Sequence, residues 1–270
     1  MAEARFLPPP LERTQSAAAP GGVGLVAALR LGFLAVVLVF WQLAANAAPG
    51  GLFASPFEVA LALGRLAVGG SLWPALGESL SIYLAGTGVA VVVGIALGAL
   101  MGMVRPVGRT LDIYVHGLAA TPRVAFIPLI IVLLGLGFEA KVLVVFLGAV
   151  MPVILNAYAG VRAADPDLVE MARATGASHG RILAHVVLPG ALPFLVAGVR
   201  IGATIGLINT VVAELYTAVA GLGGLLALYG SRFQMAEYLA VVVVLATIGV
   251  TMTEGLRLVE RRMLRWRGRE

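Results

Sequence analysis

The sequence predicts an all-α, polytopic membrane helical bundle of about six transmembrane helices. Three observations predict it. Of 270 residues, 60% are hydrophobic and 12% charged, with mean hydropathy +0.99, whereas a soluble domain carries about a quarter charged residues. The apolar residues fall into long runs, near the roughly 20 residues that cross a hydrocarbon core. The arginines collect in alternate connecting segments, as they do on positive-inside loops. The net charge of +5 therefore fits membrane-flanking arginines, and no nucleic-acid partner is expected. There is no cysteine, which removes disulfides, thiolate metal sites and cysteine nucleophiles.

Residues 1–24 hold Pro8-Pro9-Pro10 and Pro20-Gly21-Gly22 without apolar periodicity, and they read as a flexible cytoplasmic tail. The first span covers 25–45. Arg5, Arg13 and Arg30 followed by Ala45-Asn46-Ala47 also fit a cleaved signal; the run is long enough to span and the tail is long for a signal, so a retained span is expected. Residues 46–78, rich in Gly and Pro, read as an external loop with a short helix near 56–66. The second span covers 79–103, where Gly94, Gly98 and Gly102 form a small-residue stripe at four-residue steps. Arg105 and Arg109 mark a cytoplasmic turn. A third apolar stretch, 111–137, is interrupted at Thr121-Pro122-Arg123 and Pro128. The fourth span, 141–161, contains Pro152 and Asn156.

The loop 165–189 is the longest polar-rich run between apolar segments, and its signals spell helix, turn, helix. Asp165 suits an N-cap, Pro166 the first helical position, and Asp167 the positive end of the helix dipole. Leu168, Met171, Ala172 and Thr175 share one face at helical spacing. Gly176 fits the left-handed residue that ends a helix. Ser178 suits the cap of a second short helix, and Pro189 marks entry to the fifth span at 190–212, which carries Arg200 and Asn209. Residues 213–236, with Gly221, Gly223, Gly224 and Gly230, read as an external, partly re-entrant loop. The last span covers 237–256. The division is thus a tail over 1–24, a membrane domain over 25–257 and a basic cytoplasmic tail over 258–270. With an inside N-terminus, the outside segments hold only Arg65, Lys141 and Arg232, so both termini and the 165–189 loop are expected inside.

Glu170-Met171-Ala172, three residues, Gly176, nine residues, then Val186-x-Leu188-Pro189 resembles the EAA loop of binding-protein-dependent ABC importer permeases. Met171 stands where the motif has Ala and Val186 where it has Ile; both are apolar. Thr-Pro-Arg-Val-Ala-Phe-Ile-Pro-Leu from Thr121, Leu134-Gly135-Leu136-Gly137, and the Gly-Leu-Gly at Gly221 resemble the nitrate, sulfonate and taurine branch. The resemblance covers residues 55–232. It implies a type I importer permease fold in a bacterial cytoplasmic (inner) membrane, and a coupling helix that docks on an ATPase through Leu168, Glu170, Met171, Ala172, Gly176, Leu188 and Pro189. It further implies two ATPase copies, a second permease copy (a homodimer is usual in the branch) and an external or periplasmic substrate-binding protein. ATP and Mg would be used by the partner ATPase and no cofactor bound by this chain. The implied cargo is a small organic anion such as a sulfonate, taurine or a nitrate-like compound.

The residues themselves bound the chemistry. The sole lysine, Lys141, follows Glu139-Ala140, so the chain has no phosphate-binding loop and is not expected to be an enzyme. His116, His179 and His185 form no His-Glu-x-x-His pattern, and there is no convincing Gly-x-Ser-x-Gly nucleophile motif with a partner histidine. Intramembrane polar residues default to function. Arg123, Asn156, Arg200, Asn209 and Glu214 are the candidates to line a pore. Arg200 either attracts an anion there or pairs with a carboxylate in the bundle. Asn156 and Asn209 equally suit interhelical hydrogen bonds, and Glu214 a solvated span end. The rival class is an ion-coupled secondary transporter, which would show inverted repeats and a midplane carboxylate; neither is clear in the sequence.

Overall fold

The computed structural model describes residues 22–47 and 53–263, except the side chains of Val23 and His179. The expected N-terminal tail up to residue 21 and the C-terminal tail from 264 lie outside the described residues. The chain divides into two compact units, 1–56 and 57–270. In the first, α1 (Gly22–Ala47) is apolar all round and long enough to cross a membrane. Trp41 Nε1 donates to the Ala54 carbonyl at 3.0 Å, and its ring lies 6.4 Å from that of Phe53.

The second unit is built on three long helices: α3 (Leu72–Met103), α6 (Phe138–Arg162) and α9 (Leu188–Thr217). The glycine stripe of α3 faces α6. A side chain at Gly94 would strike Val153 at 2.7 Å, one at Gly98 the Ile154 carbonyl at 2.5 Å, and one at Gly102 Val161 at 2.5 Å. On α9, Gly198 receives Asn156 and Gly202 receives Val153 and the Ala149 carbonyl. Small residues thus let the backbones approach where lipid offers no hydrophobic drive. Gly98→Ala is expected to cost about 1–3 kcal/mol, because the obstructing atoms are backbone and cannot turn away. Gly88→Ala on the same helix meets nothing within 4 Å and should leave the thermal midpoint in detergent unchanged or raised. Equal midpoints for both variants would contradict this packing.

Three expectations need correction and one is sharpened. The interruption expected in 111–137 at Thr121-Pro122-Arg123 is a full break: the stretch is α4 (Arg105–Ala120), a 3₁₀ turn at Arg123–Phe126 and α5 (Ile127–Leu134), bent by 84°. Five helices are therefore long and apolar enough to cross, six if the bent pair counts as one span. The helix of the second span, α3, begins at Leu72 instead of 79, since Pro74 falls in the first turn, where no amide bond is lost. The part of 213–236 read as loop holds α10 (Gly221–Ser231), an apolar helix with Leu222 and Leu226 buried. The last helix, α11 (Met235–Met263), extends into the expected basic tail. A short α2 (Pro56–Val68) buries Val59, Ala62 and Leu66 on one face, and its Arg65 pairs with Glu237 of α11 at 2.8 Å.

Candidate functional site

The loop after α6 folds as its local signals dictate. The Asp165 carboxylate accepts from the Asp167 amide at 2.9 Å, Pro166 occupies the first turn, and α7 (Pro166–Ala174) follows. Gly176 has φ +77°. The Ala177 amide reaches the Ala172 carbonyl at 3.0 Å and the Gly176 amide reaches that of Arg173 at 2.9 Å. These two bonds are a Schellman closure, which needs a left-handed residue at this position. Thr175 Oγ1 adds a bond to the Ala172 carbonyl at 2.9 Å.

No residue of α7 is buried. Leu168 is 47% and Met171 61% exposed. Glu170 and Gly176 are exposed too, while Val169 and Ala172 are half-buried against the protein. A groove of about 1060 Å³ runs beside the helix, with Glu170, Arg173, Arg105 and Arg162 among its walls. The second short helix, α8 (His179–Ile182), does not end before the next span. A π-helical turn at Leu183–Val187 joins it to α9, whose first turn holds Leu188 and Pro189. The apolar helix is continuous from Gly180 to Thr217.

The intramembrane polar residues are separated, not gathered. Pro152 inside α6 has no amide for the Gly148 carbonyl one turn earlier. Arg123, in the break between α4 and α5, donates to that freed carbonyl at 3.2 Å and to the Ala119 carbonyl at the end of α4 at 3.0 Å. Its buried Nε has no partner. Asn156 and Asn209 form no hydrogen bond across helices: each donates to a carbonyl of its own helix, Pro152 at 2.8 Å and Ile205 at 2.9 Å. Each also packs over a glycine of the neighbouring helix, Gly198 for Asn156 and Gly148 for Asn209. Arg200 takes the ion-pair alternative, with Glu260 of α11 at 3.0 Å.

Glu214 is not a solvated end. It is fully buried. Ser79 Oγ of α3 donates to its two carboxylate oxygens at 2.7 and 2.8 Å, and the Gly223 amide at 2.8 Å. Ser79 Oγ in turn accepts from the Leu222 amide at 2.8 Å. The carboxylate thus satisfies, directly and through Ser79, two orphan amides at the start of α10. Close by, Lys141, only 3% exposed, pairs with Glu78 at 2.9 Å. Sequence reasoning missed Ser79, Glu78 and Glu260. A lysine opening an apolar span was the one available signal, because it demands a partner. His116 and His185 face backbone carbonyls through Nδ1, and no cluster that could hold a metal occurs among the described residues.

Residues 90–265 match a family described as binding-protein-dependent transport system inner membrane component. The chain is 34% identical over 248 residues to the taurine transport system permease protein TauC of Escherichia coli (strain K12), covering 89% of this chain and 90% of that protein. It is 35% identical to the putative aliphatic sulfonates transport permease protein SsuC of the same organism, covering 85% and 88%. Its fold resembles a structure described as inward facing conformations of the MetNI methionine ABC transporter, with TM-score 0.61 and 23% identity, covering 69% of this chain and 93% of that one.

Proposed function

Because the chain belongs to the family of binding-protein-dependent transport system inner membrane components, we propose that its loop 165–189 is the surface through which a separate ATPase drives it. Members of this family are transporter permeases, not enzymes, so the ion-coupled secondary transporter falls away. The observation that carries the docking proposal is α7. It is a short helix fixed at both ends that presents Leu168, Met171 and Glu170 outward. Two copies of this chain form the pathway, each engaging one ATPase, with both termini on the ATPase side. An external binding protein delivers the cargo. ATP and Mg act in the ATPase and no cofactor binds this chain.

The cargo we propose is a small sulfonate such as taurine. The likeness to TauC and SsuC supports it. Arg200 does not, since Glu260 offsets its charge. Arg123 has no carboxylate within ion-pair distance among the described residues. The test is reconstitution of the full chain with its ATPase and binding protein in liposomes. ATP-dependent taurine uptake is expected; uptake driven by an ion gradient without ATP would overturn the reading.

Gly176 supplies a sharper test of the loop. An L-residue in the left-handed region costs roughly 1–2 kcal/mol, and a β-branched one more, whereas Asn tolerates it. Nothing lies within 4 Å of the missing side chain, so backbone conformation alone is probed. Gly176→Val should reduce uptake about tenfold or more, and Gly176→Asn should retain most of it. Equal rates in the two variants would remove the role given to this turn.

A further inference from the structure

We infer that Arg105, Arg109 and Arg162 form a binding site for the phosphate of an anionic phospholipid headgroup. They surround a cavity of about 420 Å³ whose remaining lining is Met101, Gly102 and Tyr158. The volume lies within the roughly 300–1,000 Å³ of small-ligand sites. Arg105 and Arg109 stand one turn apart on α4, a spacing at which like charges repel. Arg162 reaches in from the end of α6. Its guanidinium lies 5.6 Å over the Tyr158 ring, and it donates to the Tyr158 hydroxyl at 3.2 Å. No carboxylate lines the cavity. Among the described residues, none lies within ion-pair distance of Arg105, Arg109 or Arg162.

The convergence is built into the fold. Gly108 is buried, and a side chain there would collide with the Met101 carbonyl and approach the Tyr158 ring to 3.3 Å. Its absence lets the first turn of α4 fold back on α3 and α6. That contact holds Arg105 and Arg109 beside Arg162 despite their mutual repulsion, and none of the described residues supplies a countercharge, which favours a bound anion. Depth identifies its source. Two membrane-length helices end at this cavity, α3 at Met103 and α6 at Arg162, which sets it at the headgroup layer. From it α4 runs on with Ile113, Tyr114 and Leu118 exposed, an apolar face suited to acyl chains. Guanidinium forks match phosphate oxygens, and Met101 and Tyr158 give the glycerol an apolar floor.

The test uses the full chain in mild detergent, with phosphatidylglycerol and phosphatidylcholine as probes and native mass spectrometry as readout. The wild type should retain phosphatidylglycerol in preference to phosphatidylcholine. Arg105→Gln/Arg109→Gln should weaken that retention roughly thirtyfold, at about 1 kcal/mol per arginine near a charged surface. Arg181→Gln, away from the cavity, is the control. The Arg105→Lys/Arg109→Lys variant keeps the charge and should recover part of the binding, which separates recognition from loss of fold. Inorganic phosphate is titrated in parallel. If it binds the wild type and not the double Gln variant while neither lipid is retained, the same chemistry serves a soluble phosphate. Unchanged phosphatidylglycerol retention in the double Gln variant would overturn the proposal. So would loss of ATPase co-purification with lipid retention unchanged, because Arg105 and Arg162 also line the groove beside α7 and would then belong to a protein interface. Neither outcome depends on transport, so failure here leaves the coupling proposal standing.

Discussion

Leu168→Glu/Met171→Glu is expected to insert and fold as the wild type does, and to lose ATP-driven uptake almost completely. Both side chains already face outward, at 47% and 61% exposure, so carboxylates there cost the isolated protein little. The helix bearing them is closed by its own backbone, through the Asp165 cap and the Gly176 turn, and needs neither side chain to form. Their apolar surface has value only against a partner. Burying a side chain of this size contributes about 1.5–3 kcal/mol, and two together about 3–6, which is a hundredfold or more in affinity. Burying unpaired carboxylates instead adds a penalty of the same sign. The measurement is co-purification of the ATPase alongside uptake in liposomes. Wild-type uptake with the ATPase still bound would eliminate α7 as the docking helix.

Glu214→Leu is expected to produce the largest loss of stability of any single change in the membrane bundle. It removes the acceptor for Ser79 Oγ and for the Gly223 amide in a site with no exposure. Each buried polar group left alone costs about 1–3 kcal/mol, so the sum is about 2–6 kcal/mol. Space aggravates the effect: a side chain at Gly223 would lie 2.5 Å from Glu214 Cβ, so a branched residue at 214 has no room to adjust. Glu214→Gln keeps one acceptor oxygen and should lose less than half as much. Ser79→Ala leaves the Leu222 amide without its partner. Its effect should fall short of adding to that of Glu214→Leu, because the two act through one network. Thermal midpoints in detergent of the wild type, the three single variants and the Ser79→Ala/Glu214→Leu double variant report these effects. A leucine variant as stable as the wild type would show that the carboxylate does not hold α10.

Local signals make the 165–189 loop legible. Asp165, Pro166 and Gly176 act over two to five residues: the Asp165 carboxylate accepts from the Asp167 amide, and the turn closes through the Gly176 amide to Arg173 and the Ala177 amide to Ala172, with nothing outside the loop involved. The glycine stripe on α3 was visible as a stripe; that its partner is α6, through Val153, Ala157 and Val161, was not, since periodicity names a face and not what covers it. Polar residues were legible as anomalies and opaque as roles. The sequence leaves Arg200 between pore and ion pair because Glu260 lies 60 residues away. It hides the burial of Glu214 because Ser79 lies 135 residues away. The helix after Gly221 was hidden by its glycines, which normally signal a loop; its first amides are satisfied from α9 and α3, which only the packed bundle brings together. Arg123 is the clearest case of meaning supplied by neighbours, since its acceptor exists because of a proline 29 positions on.

The π-helical turn at Leu183–Val187 sits near the base of an unbroken helix of 38 residues, about 57 Å long at 1.5 Å per residue. An extra residue in one turn resets the angular phase of everything beyond it by roughly 100°. Close packing of Gly198, Gly202 and Gly206 on α6 and α3 fixes the directions in which Arg200, Asn209 and Glu214 point. The wide turn therefore sets how the 165–189 loop is turned about the base of that shaft. Tightening it to α-helical geometry would leave Arg200 on Glu260 and Glu214 on Ser79, and would swing α7 around the shaft instead.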